Sequence, residues 1–175
     1  MLKELDDLIG HSLLEFARAT LQAKWWGKEH DWVSQYAFGY LTKYCKHGSL
    51  LYDPGQIGIE IGVPQPPGYG KKIIVRRDLV IWGEPLSACW DSQWNPVNHP
   101  LAILEWKVHR PDRPNREVKK EREWLRQYCA WQQGVVAYAI EVNTATAPFT
   151  LQCTRFHSIS ETQFWLDLEG SDAHP

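Results

Sequence analysis

The sequence predicts an α/β protein with a mixed β-sheet of about five strands flanked by helices. Two amphipathic helical segments precede a group of apolar strands, and a charged helical segment separates two of these strands. A strand, a crossover helix and a strand that is apolar on both faces are typical of a parallel pair covered by helices. The 175 residues are 43% apolar, which is enough for one domain with a sizeable core.

Three segments of the sequence have the features of helices. Leucine, isoleucine and phenylalanine recur at three- and four-residue steps over residues 2–24, which predicts an amphipathic helix. A second helix is expected from Glu29 or Asp31 to Lys46, and Gly48 is the signal that ends it. After Pro111 and Pro114, Asn115 is a suitable N-cap for a charged helix over 116–133.

Alternating and continuous apolar runs predict the strands. In residues 56–63 the isoleucines and Val63 would share one face, and Glu60 with its flanking glycines would share the other. Further strands are expected over 71–82, 101–109, 135–142 and 149–156. A long insertion at 83–100, rich in proline and containing two tryptophans, separates the second strand from the third.

The C-terminal segment has the spacing of a helix. Ser160 and Gln163 are placed as in a capping box, and Phe164, Trp165 and Leu168 follow at helical steps. We therefore expect a short final helix. The predicted domain spans 1–175, with an N-terminal helix over 1–27, a core over 29–143, and an edge strand and C-terminal helix over 144–175.

Composition narrows the classes of function. The formal charge of −2 excludes a uniformly basic nucleic-acid-binding protein, but basic residues cluster locally. Apolar runs are too short to span a membrane, and the N-terminus lacks the basic and apolar regions of a secretory signal. The four cysteines lie far apart and are expected to be reduced, so we expect a cytoplasmic protein without a structural zinc site.

Three charged residues interrupt apolar strands. Glu105 and Lys107 share one face of strand 101–109, and Asp78 interrupts the strand before it. Burying such charges costs several kcal/mol each unless they are paired or bound to a metal. If the two strands pair antiparallel, Asp78 lies beside Glu105, and the carboxylates with the carbonyl of Trp106 suit a hard divalent cation. The alternative is a plain Glu105–Lys107 ion pair on an exposed strand.

These motifs resemble those of the PD-(D/E)XK nuclease superfamily, which has the restriction-endonuclease-like fold. The resemblance rests on Arg-Arg-Asp-Leu-Val-Ile-Trp at 76–82, Ala-Ile-Leu-Glu-Trp-Lys at 102–107, the charged helix and the apolar strand after it. It covers residues 29–143, and Arg77 stands where the family often has proline. It implies an αβββαβ core that hydrolyses DNA phosphodiesters, with Mg2+ (or Mn2+ as substitute) held by Asp78 and Glu105, and with Lys107 assisting the attacking water.

Further residues are expected around such a site. Glu60 is a candidate catalytic acid, and Glu29, His109 and Gln127 are candidates for lining the site; for each, a purely structural role is the alternative. The candidate phosphate contacts are the basic residues Lys71, Lys72, Arg76, Arg77, Arg110, Lys119 and Lys120. Five of the ten tryptophans are candidates for stacking on bases: Trp25, Trp26, Trp90, Trp94 and Trp131, with Trp90 and Trp94 in the 83–100 insertion favoured.

Two other functions remain open at this point. The fold can serve without turnover as a binding or structural module in a larger assembly, or the tryptophans can belong to a sugar- or peptide-binding domain. A DNA partner is expected in the first interpretation. Helix 2–24 offers a face for a homodimer or a partner subunit, although packing onto the sheet is the favoured interpretation.

Overall fold

The computed structural model describes residues 1–112 and 118–170, and these residues confirm the α/β class. The helices in this part are α1 (Leu2–Gln22), α2 (Glu29–Gly39) and α3 (Lys119–Trp131), with short 3-10 helices at Leu41–Tyr44 and Pro54–Gln56. The strands are β1 (Ile57–Pro64), β2 (Ile74–Ile81), β3 (Ala102–His109), β4 (Val136–Asn143), β5 (Thr150–His157) and β6 (Ser160–Glu169). None of the described helices is both long and apolar enough to cross a membrane.

One mixed sheet organises the chain. Its six strands lie side by side in chain order, and every neighbouring pair is antiparallel except β3 and β4, which are parallel. A parallel pair needs a crossover connection, and α3 provides it. β3 and β4 pair over their full lengths, from Ala102 opposite Val136 to His109 opposite Asn143. The centre of the sheet is therefore the most regular part of the fold.

Helices cover both faces of the sheet. α1 and α2 pack on one face, where the Trp106 ring of β3 meets Phe16 and Tyr36 with ring centroids 5.8 and 5.3 Å apart. α3 packs on the other face through Trp124, Leu125, Tyr128 and Cys129. Alternate residues of β3 and β4 enter the two cores, which explains why both strands read as almost continuously apolar.

The expected C-terminal helix is wrong, and the sheet gains its sixth strand there. Residues 160–169 form β6, which pairs antiparallel with β5. The two strands are joined by a two-residue turn in which Ser158 has a φ of 53°, as hairpin turns of this length require. The side chains of Trp165, Leu166 and Leu168 pack against the core beneath α1. The hairpin and this burial outweigh the local capping signal at Ser160.

β1 differs from its predicted alternation. Ile57 and Ile59 pack with the core under α1 and α2, whereas Ile61 and Val63 pack with the core under α3. The strand changes face at Glu60, whose φ is 54°, so the side chain of Ile61 fills the space beside Gly58. A Cβ at Gly58 would lie 2.5 Å from Cγ1 of Ile61. The glycine therefore makes room for a neighbouring isoleucine.

Two helix boundaries also differ. α2 ends at Gly39 instead of Lys46, and Tyr40 leaves helical geometry with a φ of −130° before the 3-10 helix begins. The low helix propensity of glycine accounts for the early end. α3 is described from Lys119, and the predicted N-cap Asn115 lies outside the described residues.

Truncation of Leu104 should destabilise the fold, because this side chain is completely buried in the centre of the sheet. We expect Leu104→Ala to lower the free energy of unfolding by about 2–5 kcal/mol, measured by urea denaturation. Ile73→Ala is the matched control, since Ile73 is 77% exposed, and it should change stability by less than about 0.5 kcal/mol. Equal effects of the two substitutions would contradict the assigned core.

Candidate active site

The candidate site lies where β2 and β3 separate. Their backbone pairing covers Leu79–Ile81 opposite Ala102–Leu104 and goes no further within the described strands. Asp78 and Glu105 are the next residues beyond this ladder, and the register places them opposite each other. The antiparallel pairing on which the predicted Asp78–Glu105 proximity depends is therefore present. Because the strands separate here, side chains from helices on both faces of the sheet, such as Glu29 of α2 and Glu121 of α3, can approach Lys107.

Asp78 bridges the two strands with its side chain. Its Oδ2 accepts a hydrogen bond of 2.7 Å from the backbone N–H of Trp106, in place of a backbone carbonyl of β2. Burial and the neighbouring Glu105 carboxylate raise the pKa of Asp78 to about 7, although the Trp106 N–H and Lys107 oppose the rise. Near neutral pH this carboxyl group is therefore poised between its protonated and ionised forms.

Glu105 is the most deeply buried acid of the site, with 7% of its surface exposed. Burial raises its pKa, and the neighbouring Arg77 guanidinium and Lys107 ammonium oppose that rise. Arg77 Nη1 lies 3.3 Å from Glu105 Oε1, and its guanidinium lies 3.7 Å from the centre of the Trp124 ring of α3. Glu105 Oε2 is buried and makes no hydrogen bond to the described part of the chain. Carboxylate oxygens with unused lone pairs are the kind of ligand that a hard divalent cation prefers.

The Lys107 ammonium is surrounded by oxygen atoms from four residues. It donates to the carbonyl oxygen of Trp106 at 3.0 Å and lies 3.4 Å from Glu29 Oε1. Oε1 of Glu105 and Oε1 of Glu121 are each 3.9 Å away. Because Glu29 belongs to α2 and Glu121 to α3, the ammonium lies between helices that cover opposite faces of the sheet.

A cavity of about 360 Å³ opens beside these charges. Its lining includes Asp78, Glu29 and Glu60, together with Lys28 and Arg110 at its basic side. Glu60 is exposed and lies opposite Asp78 in the register of β1 and β2, at the point where β1 changes face. The structure thus brings the predicted acids Glu29 and Glu60 to the same cavity as Asp78.

The balance of charge determines what the site can hold. Four carboxylates (Glu29, Asp78, Glu105 and Glu121) surround two cationic groups (Arg77 and Lys107), so the fully ionised cluster carries an excess of negative charge. A divalent cation or a proton on Asp78 would offset this excess. Among the described residues, however, no three His, Cys, Asp or Glu side chains are arranged closely enough to form a metal-binding group. The residues that fit a cation best are Asp78 and Glu105.

The predicted phosphate contacts are divided between the surface and the interior. Lys71, Lys72 and Arg76 are exposed around β2, and Lys119 and Lys120 are exposed at the start of α3. Arg77 instead is buried under Trp124 and faces Glu105, where it stabilises a carboxylate. Arg110 lines the cavity and forms a 3.0 Å ion pair with Asp112.

Two predicted lining residues interact elsewhere. His109 Nε2 lies 3.6 Å from Glu141 Oε2. Gln127 donates to Glu123 on its own helix at 2.8 Å. The contacts with Glu141 and Glu123 connect neither His109 nor Gln127 to the Asp78 cavity.

In the 83–100 insertion, Trp90 and Trp94 line a separate cavity with Trp131, Lys71 and Lys72.

Glu121 and Lys28 lie at the site but were not predicted from the sequence. Glu121 reaches Lys107 from the first turn of α3, and its Oε2 is a second buried oxygen without a hydrogen bond in the described part of the chain. Its surroundings in the sequence, with mixed charges, are typical of a solvated helix. Lys28 precedes α2, where its backbone N–H donates to Asp31 at 2.7 Å. Neither residue lies in a pattern that would have marked it before the fold was known.

No protein-family model, curated protein or solved structure matches this chain. The nuclease resemblance therefore depends on the motifs around Asp78, Glu105 and Lys107 and on the order of the elements. Catalysis by these residues is a proposal, which their geometry supports.

The raised pKa of Asp78 predicts a pH-dependent stability. In the unfolded chain Asp ionises near pH 4, so between about pH 4 and 7 the folded state holds a proton that the unfolded state has lost. Stability should therefore fall as the pH rises from 5 to 8. Asp78→Asn keeps an acceptor for the Trp106 N–H and should be more stable than wild type at pH 8 by roughly 1–3 kcal/mol.

Denaturant unfolding in EDTA across this pH range measures the effect. Asp167→Asn, at an exposed position of β6, is the matched control and should follow the wild-type profile. A wild-type stability that rises steadily from pH 5 to 8, or an Asp78→Asn variant that is less stable than wild type at pH 8, would contradict the assigned environment of Asp78.

Proposed function

We propose that this protein is a metal-dependent nuclease that hydrolyses phosphodiester bonds in DNA. The observation that carries the proposal is the convergence of Asp78, Glu105 and Lys107 where β2 and β3 separate, beside an open cavity. Phosphodiester hydrolysis requires a nucleophile to approach an anionic phosphate and requires the additional negative charge of the transition state to be stabilised. Paired carboxylates that can hold a metal ion, next to a fixed ammonium, suit both requirements.

Asp78 and Glu105 are the residues that would hold Mg2+, or Mn2+ in its place. The unpartnered Oε2 of Glu105 supports this assignment, as does the position of Asp78 on the cavity wall. The carbonyl oxygen of Trp106 has a second lone pair besides the one that accepts from Lys107. A bound divalent cation supplies positive charge that offsets the charge of the phosphate and lowers the pKa of a nearby water molecule.

Lys107 is the residue that would orient the attacking water. Its ammonium is held by the Trp106 carbonyl and Glu29, so its direction is set before a substrate binds. Such a preorganised charge stabilises negative charge that develops on the phosphate. Glu29 and Glu121 act on this step through Lys107, as positioning residues. Arg110 at the cavity, and Lys71, Lys72, Arg76, Lys119 and Lys120 at the surface, are the proposed contacts with the DNA backbone.

Removal of any of the three central groups should slow DNA cleavage strongly. We expect Asp78→Asn, Glu105→Gln and Lys107→Met each to lower the rate of DNA cleavage by about 10²–10³-fold, measured with labelled single- and double-stranded DNA in Mg2+ and in Mn2+. Lys46→Met, at an exposed lysine outside the cavity, is the matched control and should keep wild-type activity. A wild type that cuts neither substrate, or variants as active as wild type, would refute the nuclease.

Cation binding can be measured without cleavage. At about 100 times its Kd, Mn2+ should stabilise the wild type by about 2.7 kcal/mol, which is seen as a higher Tm. Glu105→Gln should lose most of this response, because one of the two proposed carboxylate ligands is gone. The control is again Lys46→Met, which should respond as wild type does.

A second candidate is a nuclease-like module without turnover. The favouring observation is that Lys107 and Arg77 already pair with the acids of the site, so that Glu105 faces two cations without any metal. This candidate requires that Mn2+ leaves the Tm unchanged while DNA binding persists. A Mn2+ response that depends on Glu105 would exclude it.

A further inference from the structure

Next to the candidate active site lies a second cavity of about 610 Å³ with a different character. Its apolar lining consists of the rings of Trp26 and Phe149 and the side chain of Pro111, and Asp112 and Thr144 line it as well. Lys28 and Arg110 line this cavity and also the cavity that contains Asp78. The two cavities are therefore neighbours, with two cations at the boundary between them.

Trp26 is unusually accessible for a tryptophan. It is 69% exposed, whereas the adjacent Trp25 packs on Trp32 with ring centroids 4.7 Å apart. No ring in residues 1–112 or 118–170 stacks on the Trp26 indole. An exposed indole at the mouth of an apolar cavity gives up little packing when a planar ligand stacks on it, and such stacking does not depend on which base is present.

The chain holds the two cavities at a short, fixed separation. Trp26 is three residues from Glu29, and Arg110 is three residues from Lys107, which Glu29 contacts. Three residues span at most about 10–11 Å. Each of these short segments is attached to a regular element, since α2 begins at Glu29 and Lys107 belongs to β3. A ligand that reaches the Trp26 cavity therefore lies close to the phosphate proposed to be cleaved.

Across this surface, the apolar rings of the Trp26 cavity are followed by the cations Lys28 and Arg110 and then by the carboxylates of the Asp78 cavity, where the metal site is proposed. A nucleotide chain offers the complementary order, because a planar base is followed by anionic phosphates. Arg110 is paired with Asp112 at 3.0 Å, and its guanidinium has further N–H groups for a phosphate. In a duplex the bases are stacked and paired, and moving one into a side cavity costs a few kcal/mol, so a ligand that already carries an unpaired base is favoured.

We propose that the Trp26 cavity binds an unpaired nucleobase next to the scissile phosphate, so that the substrate class is single-stranded DNA or DNA with an unpaired end. This inference rests on the proposed nuclease function and deepens it. Trp26 supplies a stacking surface, Phe149 and Pro111 supply further apolar walls, and Lys28 and Arg110 contact the flanking phosphates.

The test measures binding, so that it does not depend on cleavage. Fluorescence anisotropy in EDTA and in Ca2+ compares a labelled oligothymidylate with an abasic oligonucleotide of equal length and charge. We expect the wild type to bind the oligothymidylate on the order of tenfold more tightly. Trp26→Ala should reduce that ratio to near one, and Trp26→Phe should restore most of it, because the smaller ring still stacks.

The matched control is Phe164→Ala. Phe164 is 60% exposed on β6 and is not among the residues that line the two cavities, and its loss should leave the ratio unchanged. The proposal is overturned if the wild type does not bind oligothymidylate, if it binds both oligonucleotides equally, as a pocket for a protein side chain would, or if Phe164→Ala and not Trp26→Ala removes the difference.

Cleavage then separates this inference from the nuclease itself. Base-dependent binding without any cleavage would support the Trp26 cavity and refute the nuclease. Cleavage that requires Lys107, together with equal binding of the two oligonucleotides, would support the nuclease and overturn the base cavity. If both proposals hold, Trp26→Ala should raise KM for single-stranded DNA by about tenfold and leave kcat nearly unchanged, because Trp26 touches none of the reacting atoms.

Discussion

The end of the backbone ladder between β2 and β3 is the constraint on which the site depends. Where the ladder stops, the N–H of Trp106 needs an acceptor, and the Asp78 carboxylate provides it across the gap. A carboxylate held there is largely out of water and close to Glu105, which is why its pKa rises to about 7. The separation of the strands thus creates both the cavity and the unusual chemistry of its wall. A continuous ladder would have hidden these groups between paired strands.

The rest of the fold keeps this group of charges in position. β3 is fixed along its whole length by β4, so Glu105 and Lys107 project from a rigid strand. α2 brings Glu29 from one face of the sheet, and α3 brings Glu121 and Trp124 from the other. Trp124 covers Arg77, which keeps this guanidinium against Glu105 and away from solvent. Burying so many charges is costly unless they are paired. In the described part of the chain, this network still leaves Oε2 of Glu105, Oε2 of Glu121 and Nε of Arg77 without a hydrogen bond.

Sequence patterns predicted those parts of the molecule that local periodicity controls. The order of α1, α2, the first five strands and α3 followed from apolar spacing, and the charges of Asp78, Glu105 and Lys107 stood out because apolar neighbours surround them. β6 was missed because a helix-capping pattern and a hairpin compete over the same residues, and only burial against α1 decides between them. The change of face at Glu60 depends on a positive φ, and the contact of Glu121 with Lys107 depends on how α3 lies on the sheet. Neither is encoded in a short stretch of sequence.

In the proposed function, the two cavities would divide the recognition of DNA between them according to the charges that line them. An acidic centre repels a polyanion, so a nuclease of this kind needs attractive contacts close to its carboxylates. Lys28 and Arg110 supply charge, but charge alone attracts every phosphate along a DNA chain equally. Stacking on the exposed Trp26 would distinguish one position of a DNA chain from its neighbours, because a paired base is not accessible to it. Since the Trp26 cavity and the Asp78 cavity share Lys28 and Arg110, a base bound in the first cavity would orient the DNA strand in the second. In the proposed function, selection of an unpaired base and placement of its phosphate would then be one event.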